Sequence, residues 1–242
     1  MAIQLRLLGI TDLVGADGTS LDVVLSQPKR FAMLAYLAAS RPLRLHRRDS
    51  LLALFWPESD ETRARGALSQ SLSFLRRALG EGVIISRGAE EVGVDGARIE
   101  CDVDWFEQAA DAGEHAYALA RYAGDLLAAF HVTGCNDFDD WVAAERARLR
   151  ERAARSAKAL SRASEAAGDQ SAAVVAARHA LLLAPHDESA ARRVLTVLEQ
   201  AGRPALAVAE YDAFRRRLRD DLGIEPSADL KRFADGIRAG TA

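Results

Sequence analysis

The segment ESDETRARGALSQSLSFLRRALG, residues 58–80, constrains the fold of this chain more than any other stretch. Its apolar residues recur at steps of three and four, the period of an amphipathic helix. They are Ala64, Leu68, Leu72, Leu75 and Leu79. Asp60 or Thr62 can cap such a helix at its N-terminus, and Gly80 can end it. The pattern predicts a helix over residues 61–79 with one face on a protein core.

The opposite face of this predicted helix carries arginines and short polar side chains, with no acidic residue between Arg63 and Leu79. It consists of Arg65, Gly66, Ser69, Gln70, Ser73 and Arg77, with Arg63 and Arg76 at the two ends. A DNA major groove admits one helix, and guanidinium and amide groups can pair there with base edges. The face therefore fits a DNA-reading helix, although most basic helix faces are ordinary solvated surfaces.

Charge is distributed unevenly along the 242 residues, whose formal net charge is −3. Residues 41–79 contain eight arginines and four acids, whereas residues 80–142 contain three arginines and fourteen acids. A polyanionic partner would therefore meet the N-terminal part of the chain. The apolar fraction of 49% indicates a packed core rather than disorder.

Strand and helix signals in the first 100 residues follow the order of a winged helix. Residues 3–9 and 21–25 are predicted as strands around a turn at 16–18. A first helix is expected to begin at Ser26 and Pro28 and to end at Arg41 and Pro42, and a second covers 48–56. After the helix at 61–79, the runs 83–86 and 92–94 predict a hairpin. Three helices followed by such a hairpin, the wing, indicate a winged helix-turn-helix.

The remainder of the chain is rich in alanine and predicts helices throughout. The predicted ranges are 104–111, 114–121, 137–166, 171–184, 188–201, 205–220 and 227–238. Gly168 and Gly202 are 34 residues apart, and each opens a similar phrase of small residues. That spacing is typical of a tetratricopeptide-like repeat. Two repeats are too few to stand alone, so the preceding helices are expected to cap them.

Four phrases of the sequence together resemble transcriptional activators of the Streptomyces antibiotic regulatory protein (SARP) family. They are QPKRFAMLAYLA (27–38), RRDSLLALFWPE (47–58), RARGALSQSLSFLRRAL (63–79) and YDAFRRRLRDDLGIEP (211–226). The resemblance implies a mainly α fold with small β elements. It implies an OmpR/PhoB-type winged-helix DNA-binding domain over residues 1–100 and a helical, tetratricopeptide-like bacterial transcriptional activator domain over 101–242.

The resemblance also implies a function and partners. The chain is expected to be a sequence-specific activator that reads direct repeats in double-stranded promoter DNA, side by side with a second protomer. Contact with RNA polymerase holoenzyme and a cytoplasmic, nucleoid-associated location are implied as well. The family usually has Asn where this chain has Gly66, and often Gln where it has Ser69. Since both positions face outward in the predicted helix, we expect a different base preference here.

Roles for the candidate DNA-binding residues follow from their positions on the predicted helix. We expect Arg65, Ser69, Gln70 and Ser73 to meet the bases, because arginine can pair with guanine and glutamine with adenine. Gly66 costs roughly 1 kcal/mol of helix stability relative to alanine, which hints at a close approach of DNA. Phosphate contacts are expected from Arg47, Arg48, Arg63, Arg76 and Arg77. Arg87 is the one expected wing contact, since Glu90 and Glu91 follow it.

A second class of function fits part of the same observations. The chain could be a helical-repeat adaptor that binds only protein, with the winged helix reused as a docking module. The acidic wing tip and the net charge of −3 favour this alternative, and the basic outer face of helix 61–79 favours the activator. No enzymatic activity, cofactor or metal site is predicted, because the sequence lacks the phosphate-binding, hydrolase and zinc motifs. No signal peptide or membrane span is predicted either.

Overall fold

The computed structural model of the chain describes residues 2–40 and 45–240. Their contacts divide the chain into two compact units. The first contains the residues up to Gln108 together with Ala120–Ala147, and the second contains Ala109–Leu119 and Arg148–Ala242. The functional domains 1–100 and 101–242 expected from the sequence stay a prediction.

Two small sheets belong to the first unit. Strands β1 (Ile3–Arg6), β2 (Asp12–Val14) and β6 (Ile99–Cys101) form one, in the order β2-β1-β6. In it β1 is antiparallel to β2 and parallel to β6. Strands β3 (Leu45–Arg47), β4 (Ile84–Arg87) and β5 (Glu91–Val94) form the other, antiparallel throughout, in the order β3-β5-β4. The strands β4 and β5 are the hairpin predicted as the wing.

Four helices lie between these strands in the sequence, and their apolar faces form the core of the first unit. They are α1 (Asp22–Leu25), α2 (Pro28–Ala39), α3 (Arg48–Phe55) and α4 (Glu61–Leu79). Phe31, Leu34 and Leu37 of α2 are fully buried, as are Leu51 and Phe55 of α3 and Leu75 of α4. The unit also receives the beginning of α5 (Asp102–Asp111) and of the long helix α7 (Asn136–Ala166).

Several local predictions for the first unit were wrong. Residues 21–25 are not a strand, since Asp22–Leu25 forms the short helix α1 with only Val24 buried. Ser26 is the C-cap of α1, and Gln27, which makes no side-chain cap, precedes α2. Strands β2, β3 and β6 were missed because each has only three residues, and β3 and β6 are defined by pairing with a distant strand. The end of the first helix expected at Arg41 and Pro42 lies outside the described residues.

The second unit is entirely helical among its described residues and is built around two consecutive helix pairs. It contains part of α6 (His115–Arg121), the rest of α7, and then α8 (Gln170–Leu183), α9 (Glu188–Gln200), α10 (Pro204–Leu222) and α11 (Ala228–Ala239). Helix α9 packs against both α8 and α10, and α11 packs against α10. Gly168 and Gly202, the equivalent residues of the two repeats, both have left-handed φ angles, +79° and +69°, just before α8 and α10.

The two repeats share one apolar core of small and branched side chains. Its fully buried members include Ala173, Ala177, Val194, Leu198 and Ala207. Alanine at such positions lets the helices of successive repeats approach closely. This arrangement is tetratricopeptide-like, as the 34-residue spacing predicted, and with the winged helix it confirms the predicted fold class. Among the described helices, none combines the length and apolar character needed to cross a membrane.

Candidate nucleic-acid interface

Helix α4 is held by its inner face and by both ends. Ala64, Leu68, Leu72, Leu75 and Leu79 are all buried, as the predicted stripe requires. Asp60 caps the helix, since its Oδ1 accepts a hydrogen bond of 3.0 Å from the backbone N–H of Arg63. Gly80 ends the helix with φ at +91°, a value that favours glycine. The sequence prediction for this element is therefore confirmed at both ends.

The outer face of α4 is solvent-exposed along its whole length of about 28 Å. The exposed candidates on it are Arg63, Arg65, Gly66, Ser69, Gln70, Ser73 and Arg77, and only Arg76 is half-buried. A Cβ added at Gly66 would meet no atom within 4 Å, so packing inside the described chain does not require glycine there. The structure thus brings these eight candidates together on one helix, free of overlying chain among the described residues.

Acidic side chains lie closer to this face than the sequence suggested. Arg65 forms an ion pair of 2.7 Å with Glu61, one turn earlier, and lies 3.7 Å from Asp49 of α3. Arg63 pairs with Asp60 at 3.1 Å. From Arg63 onward, the outer face of α4 carries no acidic residue, as expected. Glu61 in the first turn of α4 and Asp49 of α3 nevertheless bring carboxylates close to this face. All of these side chains are more than half exposed, so the pairs are weak and easily exchanged.

The wing is attached to α4 and to the start of α3 by specific hydrogen bonds. Arg76 Nη2 donates to Ser86 Oγ at 2.9 Å, which joins the end of α4 to β4. The backbone N–H of Arg48 donates to the carbonyl oxygen of Glu90 at 2.8 Å, which joins α3 to the wing turn. Helix and wing therefore have a fixed relation within the first unit.

Arg87, the expected wing contact, lies on β4 and is 71% exposed. It is directly paired with Glu91 of β5, and Arg87 Nε donates to Glu91 Oε2 at 2.5 Å. This hydrogen bond lowers the pKa of Glu91 and raises the pKa of Arg87. Both groups are charged at neutral pH, so the Arg87 cation at the wing is largely balanced by the neighbouring carboxylate.

Arg47 and Arg48, at the junction of β3 and α3, differ in their surroundings. The Arg47 side chain is 65% exposed and lies 3.5 Å from Asp49. The Arg48 side chain is half-buried, and its Nε has no hydrogen-bond partner within the described part of the chain. Arg77 forms no ion pair with any described residue. Arg47 and Arg77 are thus more accessible cations than Arg48.

Arg30 was not among the predicted DNA-binding residues, but it lines a shallow depression next to the outer face of α4. The depression is lined by Arg30, Ser69, Gln70, Ser73, Phe74, Arg76 and Arg77. The Arg30 guanidinium lies 4.2 Å from the centroid of the Phe74 ring, a cation–π contact that fixes α2 against α4. The basic pair Lys29-Arg30 in the first turn of α2 was the available sequence signal. Lys29 is instead used internally, because its Nζ donates to the Phe55 carbonyl at 2.9 Å.

Metal ligation finds no support among the described residues. Residues 2–40 and 45–240 contain no group of three His, Cys, Asp or Glu side chains arranged to hold an ion. Cys101 and Cys135 are both buried as free thiols. His131 precedes α7 and lies 3.1 Å from Asp139, whereas the Cys135 thiol faces the Phe55 carbonyl.

Comparison with known proteins finds a matching domain family and relatives that are regulators of transcription. Residues 90–238 match the family described as bacterial transcriptional activator domain. The transcriptional regulatory protein EmbR of Mycobacterium tuberculosis is 28% identical over 239 residues, which cover 91% of this chain and 60% of EmbR. The regulatory protein AfsR of Streptomyces coelicolor is 28% identical over 235 residues, 91% of this chain and 23% of AfsR. The chain thus spans only part of these relatives.

A solved structure shares the fold. It is that of Mycobacterium tuberculosis EmbR in complex with a low-affinity phosphopeptide, with a TM-score of 0.69 and 23% sequence identity. The alignment covers 98% of this chain and 65% of the EmbR chain. The matched domain covers more than half of the described sequence. The chain therefore belongs to the bacterial transcriptional activator domain family.

Proposed function

We propose that this chain is a sequence-specific DNA-binding transcriptional activator whose helix α4 enters the major groove of promoter DNA. The observation that carries the proposal is the exposed outer face of α4, on which Arg65, Ser69, Gln70 and Ser73 stand within two and a half turns. Membership in a family of transcriptional regulators supports a role in transcription.

Within the proposal, the candidate residues divide into two chemical roles. Arg65 and Gln70 pair with guanine and adenine edges, and the two serines accept or donate single hydrogen bonds. Arg77, Arg63, Arg47 and Arg87 surround that face as exposed cations and bind phosphates, which gives affinity without sequence preference. Arg76 and Arg48 also belong to the predicted phosphate set, and their internal contacts supply rigidity to the helix and wing.

Gly66 supports a close approach of DNA to α4, because it leaves a gap in the outer face between Arg65 and Ser69. A glycine in a helix interior costs roughly 1 kcal/mol relative to alanine. Nothing in the described chain fills the space over Gly66. In the proposed complex the sugar–phosphate backbone or a base edge approaches the helix there, closer than any side chain would allow.

Two finer elements of the proposal concern assembly on the promoter. Two protomers bind side by side on direct repeats, each reading one half-site with α4, and the bound pair contacts RNA polymerase holoenzyme. Half-sites read from one side of the duplex have centres about one helical turn, 10–10.5 bp, apart. This spacing is the geometric signature that distinguishes tandem binding from binding to isolated sites.

Selection of bound sequences from a random DNA pool tests the proposal, carried out at about 50 and about 200 mM salt. We expect an enriched direct repeat with a spacing near one helical turn. The double change Arg65→Gln and Gln70→Ala should abolish the enriched motif, whereas Arg162→Gln, an exposed arginine of α7, should leave it intact. Binding without a motif that disappears at the higher salt would contradict sequence reading. It would favour the adaptor, in which the winged helix docks protein.

A further inference from the structure

A groove on the second unit, between α8 and α10, is not used by the proposed DNA-binding function. One part of it is lined by the start of α8 and by Arg203, which precedes α10. The other part is lined by the end of α8 together with Glu210 and Arg217 of α10. Residues at the starts of the two helices line one part of the groove, and residues from their later turns line the other part. Helices α8 and α10 therefore run parallel to each other. The groove follows them for most of the length of α8.

Several apolar side chains are exposed along this groove. Val175 is 67% exposed and Leu182 is 77% exposed, and both line the groove from α8. They are seven residues apart, so they lie on one helix face about 10.5 Å apart along the axis. Leu206, one turn before Glu210 on α10, is 45% exposed on the facing helix. Single exposed leucines are common, but a row of them in a groove indicates a binding surface.

The charges of the groove that are not in an ion pair are both positive and lie toward its two ends. Glu210 is the only acid among the described residues that line it, and it is neutralised by Arg178 at 2.7 Å. Arg203 and Arg217 remain, 14 positions apart on α10 and hence separated by about 21 Å. Beyond one weak hydrogen bond of 3.3 Å from Arg217 to the Pro185 carbonyl, neither guanidinium has a partner in the described chain. The exposed apolar side chains of the groove, together with the Arg178–Glu210 pair, thus lie between two cations.

We propose that this groove docks an amphipathic helix of a partner protein that carries carboxylates near both of its ends. Two apolar side chains of that helix, two turns apart, contact Val175 and Leu182, and its terminal carboxylates pair with Arg203 and Arg217. A helix laid into a groove between two helices is an established mode of peptide recognition. Nucleic acid could pair with the two arginines but would leave the exposed apolar side chains of the groove without an apolar partner. The complementary partner is therefore an acidic protein segment.

A displayed library of helical peptides of about 18 residues, randomised in sequence, selected against the full chain tests the proposal. We expect enrichment of peptides with apolar residues seven positions apart and acidic residues toward both ends. Lack of enrichment, or enrichment of neutral or basic peptides, would overturn the proposal. The same peptide synthesised with lysine in place of its acidic residues should lose binding.

Variants of exposed residues locate the binding site of an enriched peptide. We expect Leu182→Asn to weaken its affinity about tenfold or more, and Arg217→Gln to weaken it with a smaller salt dependence. Ile224→Asn and Arg216→Gln, exposed residues of the same unit outside the groove, should leave the affinity unchanged. Equal affinity for all four variants would overturn the proposal.

Analytical ultracentrifugation of the full chain, which measures its oligomeric state, tests whether a second copy of the chain occupies the groove instead of a partner protein. If Leu182→Asn dissociates a self-associated wild-type chain while leaving peptide affinity unchanged, the groove is filled by a second copy and the proposal is wrong. DNA binding by α4 should be the same in Leu182→Asn and in the wild-type chain.

Discussion

Arg65 donates hydrogen bonds from both Nε and Nη2 to a single oxygen of Glu61, at 3.0 and 2.7 Å. Glu61 is in the first turn of α4, where a carboxylate also favours the helix dipole. In the proposed complex, Arg65 must leave this carboxylate to meet a base. Glu61 therefore holds the arginine against the first turn of α4 when DNA is absent, and opposes binding when DNA is present.

Replacing Glu61 with glutamine should accordingly strengthen binding to the selected operator. We expect an increase of a few-fold, because the variant removes both the competing partner of Arg65 and a negative charge near the phosphates. Fluorescence anisotropy with the labelled operator measures the effect. Glu58→Gln is the matched control, an exposed acid just before the helix. Equal gains from both variants would assign the effect to net charge rather than to the release of Arg65.

Arg87→Gln should weaken DNA binding by a similar factor for operator and for unrelated sequences. The reason is that a wing arginine on β4 meets phosphates, which carry no sequence information. The slope of log affinity against log salt concentration should decrease in magnitude by about 1. Arg98→Gln, an exposed arginine at the end of the hairpin opposite to its turn, serves as the control. A changed operator preference in Arg87→Gln would show that the wing reads bases, contrary to this prediction.

The sequence was sufficient to predict helix α4 because its determinants are local. The apolar stripe, the Asp60 cap and the Gly80 stop all lie within about 20 residues, and each acts on its immediate neighbours. The same holds for the repeat helices, whose boundaries follow from Gly168, Gly202 and the apolar period. Element order then indicated the winged helix without any knowledge of tertiary contacts.

Features that depend on distant residues could not be predicted in this way. Strand β6 exists because Ile99 pairs with Ile3 at the other end of the unit. The run after Leu21 contains two valines, yet it forms helix α1, in which only Val24 is buried. Two contacts join different helices: Arg65 lies close to Asp49, and Arg30 stacks on Phe74. Neither contact could be predicted from the local sequence. The electrostatics of the candidate interface therefore required the structure.

Gly9→Ala should destabilise the chain strongly, because two independent constraints act at this position. Its φ is +82°, and an added Cβ would lie 2.8 Å from the carbonyl carbon and oxygen of Ala123. Gly18→Ala is the matched control, since Gly18 has φ at +85° but an added Cβ meets no atom within 4 Å. We expect a loss of about 1–2 kcal/mol for Gly18→Ala from backbone strain. Gly9→Ala should lose about 1–3 kcal/mol more from overpacking.

Urea unfolding of the two glycine variants and the wild-type chain measures these differences. Equal free energies of unfolding for the two variants would mean that the backbone near Ala123 yields easily. In that case the close approach of Gly9 to this segment contributes nothing to stability.

The buried carboxylate of Asp102 should make stability fall as pH rises out of the acidic range. Asp102 opens α5 and accepts hydrogen bonds from the backbone N–H groups of Leu7 and Leu8, each at 3.0 Å. Burial raises the pKa of Asp102 above its ordinary value of 3.8, and this effect outweighs the opposing hydrogen bonds. The folded chain then binds a proton more tightly than the unfolded chain does. Stability from this group is complete below 3.8 and is lost as pH rises through the folded-state pKa.

Comparison of the wild-type chain with Asp102→Asn isolates this contribution, because the amide oxygen can still accept from Leu7 or Leu8 but does not titrate. Urea unfolding between about pH 4 and about pH 7 measures both chains. We expect the stability of the wild-type chain relative to the variant to decrease as pH rises across this window. A relative stability that increases with pH would mean that the hydrogen bonds from Leu7 and Leu8 outweigh burial. The pKa of Asp102 would then lie below 3.8, and the carboxylate would stabilise the fold as an anion.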